Sequence, residues 1–428
     1  MHILLITQYW HPEQGVVQRR WEWLSKAILE AGHTLTVVTP PPHYPGGKLT
    51  SDKQEHQRGN FEQPGDRLTI YRTNFREHSK SITSRVKDQA TIMLSSFFVA
   101  KKAIKKAKKQ RNQVDVVCCT VPALPSALVS WLIAKRFHKP LVIELRDAWP
   151  ELLINMEDWS DHRKRPTRPI KRFRRWVLHF ILQSGGRALN SVLKSADLVI
   201  TTTKSLADLE IKKGIKSVET IPNRPDYQLP IITNHIKSPN SPLNVLYAGT
   251  IGRAQGLSNA VYAARIAKDK GVCINLTLVG GGAHVDRIKA LAAKLQVPIT
   301  MPGRVSFNDI NKYYSWCDTV LVHLESWKTM ELTIPSKLFE ALRLKKHITG
   351  ALAGEASDII IASGAGHTVP PMNPKALAEL WISLSKNPCL LDVSNRGVQW
   401  LESLPSPAEL AGKWITSVER VSNIEDSQ

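Results

Sequence analysis

Two glycine-bearing turns and one helix start supply residue types that could hold a phosphate ester. In Pro335-Ser336-Lys337-Leu338-Phe339-Glu340 an apolar strand pattern ends and a helix opens, with Lys337 and Glu340 three residues apart. That spacing puts both on one helix face. There the cation could meet a diphosphate and the carboxylate could accept hydrogen bonds from ribose hydroxyls, the alternative being a solvated ion pair. Upstream, Leu246-Tyr247-Ala248-Gly249-Thr250-Ile251-Gly252-Arg253 runs a strand into a turn and then a helix. Gly249 and Gly252 permit close backbone approach, N–H groups at the helix start point at phosphate oxygens, and Arg253 can add a charge-assisted contact. A tight turn without ligand is the alternative. Leu278-Val279 leads into Gly280-Gly281-Gly282, a second strand-end cluster, and the two together point to a nucleotide-binding crevice. Neither the G-x-G-x-x-G fingerprint nor a P-loop is present, which takes support from hydride transfer and nucleoside-triphosphate hydrolysis.

The elements that would carry these residues alternate. Ile3 to Thr7, Leu35 to Thr39, Leu68 to Thr73, Val114 to Thr120, Leu141 to Leu145, Leu198 to Thr202 and Val218 to Ile221 are short apolar runs, mostly separated by helical patterns. Such alternation implies parallel strands with right-handed crossovers. After Pro222 to Pro242, a stretch with five prolines, a second series begins at Asn244 to Ala248 and continues through Ile274 to Val279, Ile299 to Met301, Thr319 to His323 and Ile348 to Gly350. A chain of 428 residues exceeds what one core usually supports. The reading is therefore an α/β protein with two Rossmann-like parallel-sheet domains facing a central cleft: residues 1–222, a linker 223–242, residues 243–405, and a last helix in 406–428 that crosses back to the first domain. Ligands in such sheets bind beyond the carboxyl ends of the strands.

The net charge of +21 is concentrated. Lys101 to Arg111 holds seven Lys/Arg and Arg163 to Arg175 holds eight, neither with an acid. Ile92, Met93, Leu94, Phe97, Phe98 and Val99 precede the first run; Phe173, Trp176, Val177, Phe180 and Ile181 thread or follow the second. Basic residues beside apolar ones suit an anionic membrane surface, with a solvated helix face as the alternative. No helix-turn-helix or zinc-finger spacing accompanies the charge, so nucleic acid is not the expected partner. Five cysteines without metal spacing read as reduced thiols. No apolar run approaches the ~18 residues of a membrane span. The expectation is a cytoplasmic protein, peripheral at the inner face of the cytoplasmic membrane.

The chain resembles retaining glycosyltransferases of family 4, of GT-B fold. The resemblance rests on Gln8-Tyr9-Trp10-His11-Pro12-Glu13 with Gly15 and Arg19, Ala31-Gly32-His33, Thr39 to Pro45, Arg146-Asp147-Ala148-Trp149-Pro150-Glu151, Ile221-Pro222-Asn223 with Asp226, Tyr247 to Gly256, Leu278 to Gly282, Pro302-Gly303-Arg304, Pro335 to Glu340, Gly354-Glu355, and Val369-Pro370-Pro371. The Asp-x-Trp-Pro-Glu form resembles the bacterial subgroup building exopolysaccharide, capsule or O-antigen repeats, including fucosyl- and N-acetylfucosaminyltransferase-like members.

The resemblance implies a hexosyl or N-acetylhexosaminyl transfer from a nucleotide sugar, expected to be UDP-linked, to a lipid-linked saccharide, without a metal or other cofactor. Gly15 would let the backbone approach the donor diphosphate. Arg253 and Lys337 would neutralise it, Glu340 would hold the ribose, and Ser336 and Leu338 would supply backbone contacts. Asp147 would orient or deprotonate the acceptor hydroxyl, with a helix N-cap as its alternative. Glu13 is a further acceptor-side candidate, or a loop salt bridge. Two positions depart from the family pattern. Leu332 stands eight before Glu340, where a glutamate is common, with Glu331 nine before; Ser258 stands where a second diphosphate cation is usual. A sugar-nucleotide 2-epimerase of the same fold and a non-catalytic glycan-assembly protein are the competing readings.

Overall fold

A computed structural model describes residues 1–13, 15–44, 46–78, 82–121, 124–154, 169–223, 238 and 241–423. The chain forms two compact units, Met1–Asn223 with Ser406–Gln428, and Arg224–Pro405.

The first unit is built on an eight-stranded sheet of order β3-β4-β2-β1-β5-β6-β7-β8. Its strands are β1 His2–Ile6, β2 Thr34–Thr39, β3 Phe61–Gly65, β4 Leu68–Arg72, β5 Val116–Val121, β6 Leu141–Leu145, β7 Leu198–Thr201 and β8 Val218–Thr220. The helices are α1 Val16–Glu30, α2 Ile82–Lys109, α3 Leu124–Phe137, α4 Glu151–Ile154, α5 Pro169–Lys194 and α6 Lys204–Lys212. Every residue of β1, β5 and β6 is buried, as expected for central parallel strands covered on both faces. The alternating pattern predicts parallel pairing throughout, but β3 runs antiparallel to β4. Its signal was illegible because Phe61–Gly65 is a mostly exposed edge containing Pro64, which a sheet tolerates only at an edge or bulge.

The second unit carries a six-stranded sheet of order β11-β10-β9-β12-β13-β14, parallel at every pairing. Its strands are β9 Leu243–Ala248, β10 Ile274–Val279, β11 Ile299–Gly303, β12 Thr319–His323, β13 His347–Ala351 and β14 Gly366–Val369. Its helices are α7 Ser258–Asp269, α8 Val285–Lys294, α9 Phe307–Trp316, α10 Ser336–Arg343, α11 Glu355–Ala362, α12 Pro374–Lys386 and α13 Arg396–Glu402. Ala260, Ala263, Ala264 and Ala267 give α7 a small-residue face, which packs in one core with Leu377, Trp381 and Leu384 of α12. One expectation fails here. The strand pattern thought to end at Pro335 stops at His323; residues 324–335 form a loop with a 3-10 turn at Lys328–Met330.

The last helix, α14 Pro407–Asn423, belongs to the first unit. Leu410, Ala411, Trp414 and Val418 are buried in one core with Trp21, Leu24 and Ile28 of α1. The Trp21 and Trp414 rings meet edge to face at 5.7 Å, a geometry that aligns a ring edge with the opposing π cloud.

Candidate functional site

In the second unit the glycine turns after β9 and β10 pack on each other. The Gly249 N–H donates to the Val279 carbonyl at 2.9 Å, and the Ile251 N–H to the Gly281 carbonyl at 3.0 Å. A Cβ on Gly280, whose φ is +141°, would lie 1.8 Å from the Gly249 carbonyl oxygen. Gly280 is therefore fixed by backbone meeting backbone before any ligand is considered. The N–H of Gly252 donates to Gln255 Oε1 at 3.2 Å. The helix expected after the turn begins at Ser258. The Gly249 and Gly252 N–H groups thus have partners within the protein, and the Arg253 side chain beside them is half-buried.

At α10 the expected pair is formed. Lys337 Nζ donates to Glu340 Oε1 at 3.0 Å and to Oε2 at 2.8 Å. The Tyr314 hydroxyl, fully buried on α9, donates to Oε2 at 3.0 Å. Burial, and then the Glu340 charge, push the Tyr314 phenol well above its ordinary range, so it stays a donor. Glu340 is 8% exposed, and among the described residues its Oε1 accepts a single hydrogen bond. Lys337 and Glu340, given separate ligand tasks by the sequence reading, are here one another's partners. Leu338 is buried, and its N–H donates to the Pro335 carbonyl at 3.0 Å, so it has no backbone donor to offer; Ser336 opens the helix. Glu331 is exposed and stands apart from this arrangement.

The first unit treats its strand-end acids differently. Glu13 is buried and accepts at Oε1 from the backbone N–H of His43 at 2.5 Å and of Tyr44 at 2.7 Å, and at Oε2 from Gln18 Nε2 at 2.8 Å. Glu13, the acceptor-side candidate, thus clamps the loop at residues 43–44 through three donors. Gly15 caps α1 in extended backbone, and a Cβ there would lie 2.5 Å from Gln18 Oε1. The lack of a side chain at residue 15 thus preserves the clamp.

Nearby, the buried Arg72 guanidinium reaches Glu62 Oε1 at 2.6 Å, the His11 carbonyl at 2.9 Å and the Pro40 carbonyl at 3.3 Å. Arg20 Nε donates to Glu144 Oε1 at 2.7 Å and its Nη1 to the Pro222 carbonyl at 3.0 Å. Arg146 Nη2 reaches the Val16 carbonyl at 3.1 Å and Asn223 Oδ1 at 3.0 Å. Burial pulls the Arg146 guanidinium down to about 10, with Glu144 acting against that shift and Arg20 adding to it.

Asp147 follows Arg146 at the carboxyl edge of β6. It is not an N-cap, because α4 begins at Glu151. Burial raises its carboxyl above the ordinary aspartate range, opposed by the Arg146 charge.

Comparison with known proteins follows these two halves. Residues 15–224 match the glycosyl transferase 4-like domain model and residues 230–397 the glycosyl transferases group 1 model. The chain carries a glycosyl transferase 4-like domain followed by a glycosyl transferases group 1 domain. WbjE of Pseudomonas aeruginosa, named a probable glycosyltransferase, is 32% identical over 154 residues, which is 35% of this chain and 37% of that protein. WcaI of Escherichia coli strain K12, named for colanic acid biosynthesis, is 23% identical over 61% of this chain and 60% of its own length. These matches span from about a third to three fifths of each relative. Among solved structures, sucrose-phosphate synthase from Thermosynechococcus elongatus superposes with a TM-score of 0.69 at 15% identity, covering 98% of each chain. Anabaena HepE in complex with UDP and glucose gives 0.63 at 14% identity, covering 97% of this chain and 99% of that one. The two parallel-sheet domains have the GT-B fold.

Three features of this chain escaped sequence reading. Tyr314 lies 26 residues from Glu340 with no local pattern joining them. Arg20 and Glu144 are 124 apart. Glu325, two residues past β12, had a signal that was available: a carboxylate at the strand edge where ligands gather. Of the basic runs, Lys101 to Arg111 lies on and just after α2, with Ala103, Ile104 and Ala107 buried and Lys102, Lys105, Lys108 and Lys109 exposed. The side chains of Arg163 to Arg175 lie outside the described residues. Among the described residues no helix is long and apolar enough to cross a membrane.

Proposed function

We propose that this chain transfers a glycosyl group, with retention, from a nucleotide sugar to a lipid-linked saccharide during assembly of a bacterial surface polysaccharide. The observation that carries the reading is the Glu340 carboxylate, held by Lys337 and Tyr314 with Oε1 accepting one hydrogen bond among the described residues. Such a group can take hydrogen bonds from a ribose diol, while the start of α10 and the Arg253 side chain supply positive potential for the diphosphate. The C1–O bond to the diphosphate breaks as the acceptor oxygen bonds to C1 from the same face. The acceptor proton passes to a donor phosphate oxygen. Arg253 and Lys337 stabilise the charge that develops on the leaving oxygen, where preorganised cations have their largest effect. Asp147 orients the acceptor hydroxyl.

The names of HepE with UDP and glucose and of WcaI in colanic acid biosynthesis support a UDP-sugar donor and a polysaccharide product. A fucose-type or N-acetylfucosamine-type donor is the first to test. A membrane-borne acceptor is supported by α2, where Leu94 and Phe98 are 59% and 64% exposed and Lys102 continues their i,i+4 stripe. The decisive experiment is a panel of nucleotide sugars, read by thermal shift and by nucleotide release with and without membrane extracts as acceptor source. One donor family raising Tm, with release dependent on acceptor, is the expected result. No response to any donor removes the proposal. Release of a free epimerised sugar nucleotide product without acceptor replaces it with the epimerase reading.

A further inference from the structure

Two buried polar side chains back the turn that presents Arg253. His323 is the last residue of β12 and Asn259 the second of α7, each 2% exposed, and Asn259 Nδ2 lies 2.9 Å from His323 Nε2. An amide nitrogen only donates, so Nε2 is the acceptor and the ring proton is on Nδ1. Burial pulls the imidazole down to about 4, with the Gln255 backbone acting against it, so the ring is neutral near pH 7. The pair reaches the turn from both sides. The Asn259 N–H donates to the Gly256 carbonyl at 3.0 Å, and the Gly256 N–H to the Arg253 carbonyl at 3.0 Å. A Cβ on Gly256, whose φ is +55°, would lie 3.2 Å from His323 Cε1, which puts the ring directly against the turn. Two residues past His323, the Glu325 N–H donates to the Ala254 carbonyl at 2.8 Å. Leu257, Ala260, Val261 and Leu321, close by in the chain, belong to the apolar core. Apolar side chains of similar size would fill the same space with no hydrogen-bonding demand. What the polar pair adds is direction, since one bond fixes the planes of ring and amide together. It adds no charge, so nothing in it competes with a phosphate for the guanidinium.

We propose that the hydrogen-bonded pair His323–Asn259 is a positioning unit for the donor diphosphate, setting the turn at residues 253–256 so that the Arg253 guanidinium meets the phosphate oxygens. The inference rests on the assignment of Arg253 to the diphosphate. It adds two residues that act through Arg253 and do not themselves touch the ligand. Neither lies in the stretches that carry the family resemblance. The two are 64 residues apart in the chain, and only the sheet brings them together.

The test is calorimetric titration of the full chain with inorganic pyrophosphate and with UDP, in the wild type, His323→Phe, His323→Gln, Arg253→Ala and the His323→Phe, Arg253→Ala double variant, each checked by circular dichroism for an intact fold. Arg253→Ala is expected to weaken both ligands. His323→Phe keeps a ring but loses the acceptor, and is expected to weaken both about tenfold, the scale of one lost hydrogen bond. His323→Gln restores an acceptor for the Asn259 amide and should recover most of that loss. In the Arg253→Ala background His323→Phe should change little, because there is no guanidinium left to place. Should His323→Phe not fold, Asn259→Ala carries the same comparison from the amide's side. Equal losses in the two backgrounds would mean a general slackening of the unit and overturn the positioning role, as would a Gln variant as weak as the Phe one. So does a His323→Phe variant that binds as the wild type while Arg253→Ala still loses affinity, and in that case the diphosphate assignment survives. If Arg253→Ala changes nothing, the assignment itself fails and the positioning role fails with it.

Discussion

Glu13 and Glu340 are both buried glutamates near the ligand edge of a parallel sheet, and their partners set them apart. Glu13 accepts from two backbone N–H groups and an amide, so it cannot change partners without moving the loop at residues 43–44. Glu340 accepts from two side chains, a lysine and a tyrosine, which can swing or share. The same contrast runs through the two units. Around Glu13, Arg72 and the Arg20–Glu144–Arg146 group tie carbonyls of neighbouring loops together. Around Glu340 the hydrogen bonds run between side chains. A carboxylate bonded to backbone maintains architecture, whereas one bonded to side chains keeps capacity for a ligand.

The strongest challenge to that division is at Glu144, which is 2% exposed and shared by two arginines. Glu144→Ala should destabilise the first unit by about 3–5 kcal/mol, since two buried cations lose their anion; urea denaturation measures it, and a loss under 1 kcal/mol would reclassify the network as dispensable. Next, Glu340→Ala should lower kcat/KM on the order of 100-fold, the worth of two lost hydrogen bonds to a charge, while retaining a cooperative melt. Glu13→Gln should do the reverse. It is expected to cost about 1–3 kcal/mol of stability through weakened backbone acceptance, with kcat/KM of the folded fraction nearly unchanged; a large kinetic defect with normal stability would return Glu13 to the acceptor side.

The smallest effect is a displacement along the pH axis. In its proposed role of orienting the acceptor hydroxyl through a hydrogen bond to the ionised carboxylate, Asp147 would work above its pKa and fail as pH falls through it. Because burial raises that pKa, the acidic limb of kcat/KM should lie above the ordinary aspartate range, and Asp147→Asn should abolish this limb as well as slowing turnover.

Most of the second unit was legible because each buried strand is a compact apolar run bounded by glycine or a helix pattern, as in Ile274–Val279 and Thr319–His323. The pairing of Lys337 with Glu340 was legible for the same reason, since helical spacing is a local rule. What escaped is contact made at long sequence separation. Tyr314 reaches Glu340, and Arg20 reaches Glu144, only because the sheet brings their elements together. At Gly280 the sequence reveals that a close approach occurs but not by what, and the structure shows the Gly249 carbonyl there.

The edge-on meeting of Trp21 with Trp414 also bears on how the chain acquires its shape during synthesis. The two rings are 393 residues apart. At ~5–20 residues per second a ribosome needs roughly 20–80 s to make that stretch. Throughout it the nascent first unit lacks the helix, α14, that covers Trp21 in the finished chain. The second unit is contiguous in sequence and can close without waiting for α14. The domain begun first is therefore finished last, and a chaperone that shields the α1 face would act in that interval.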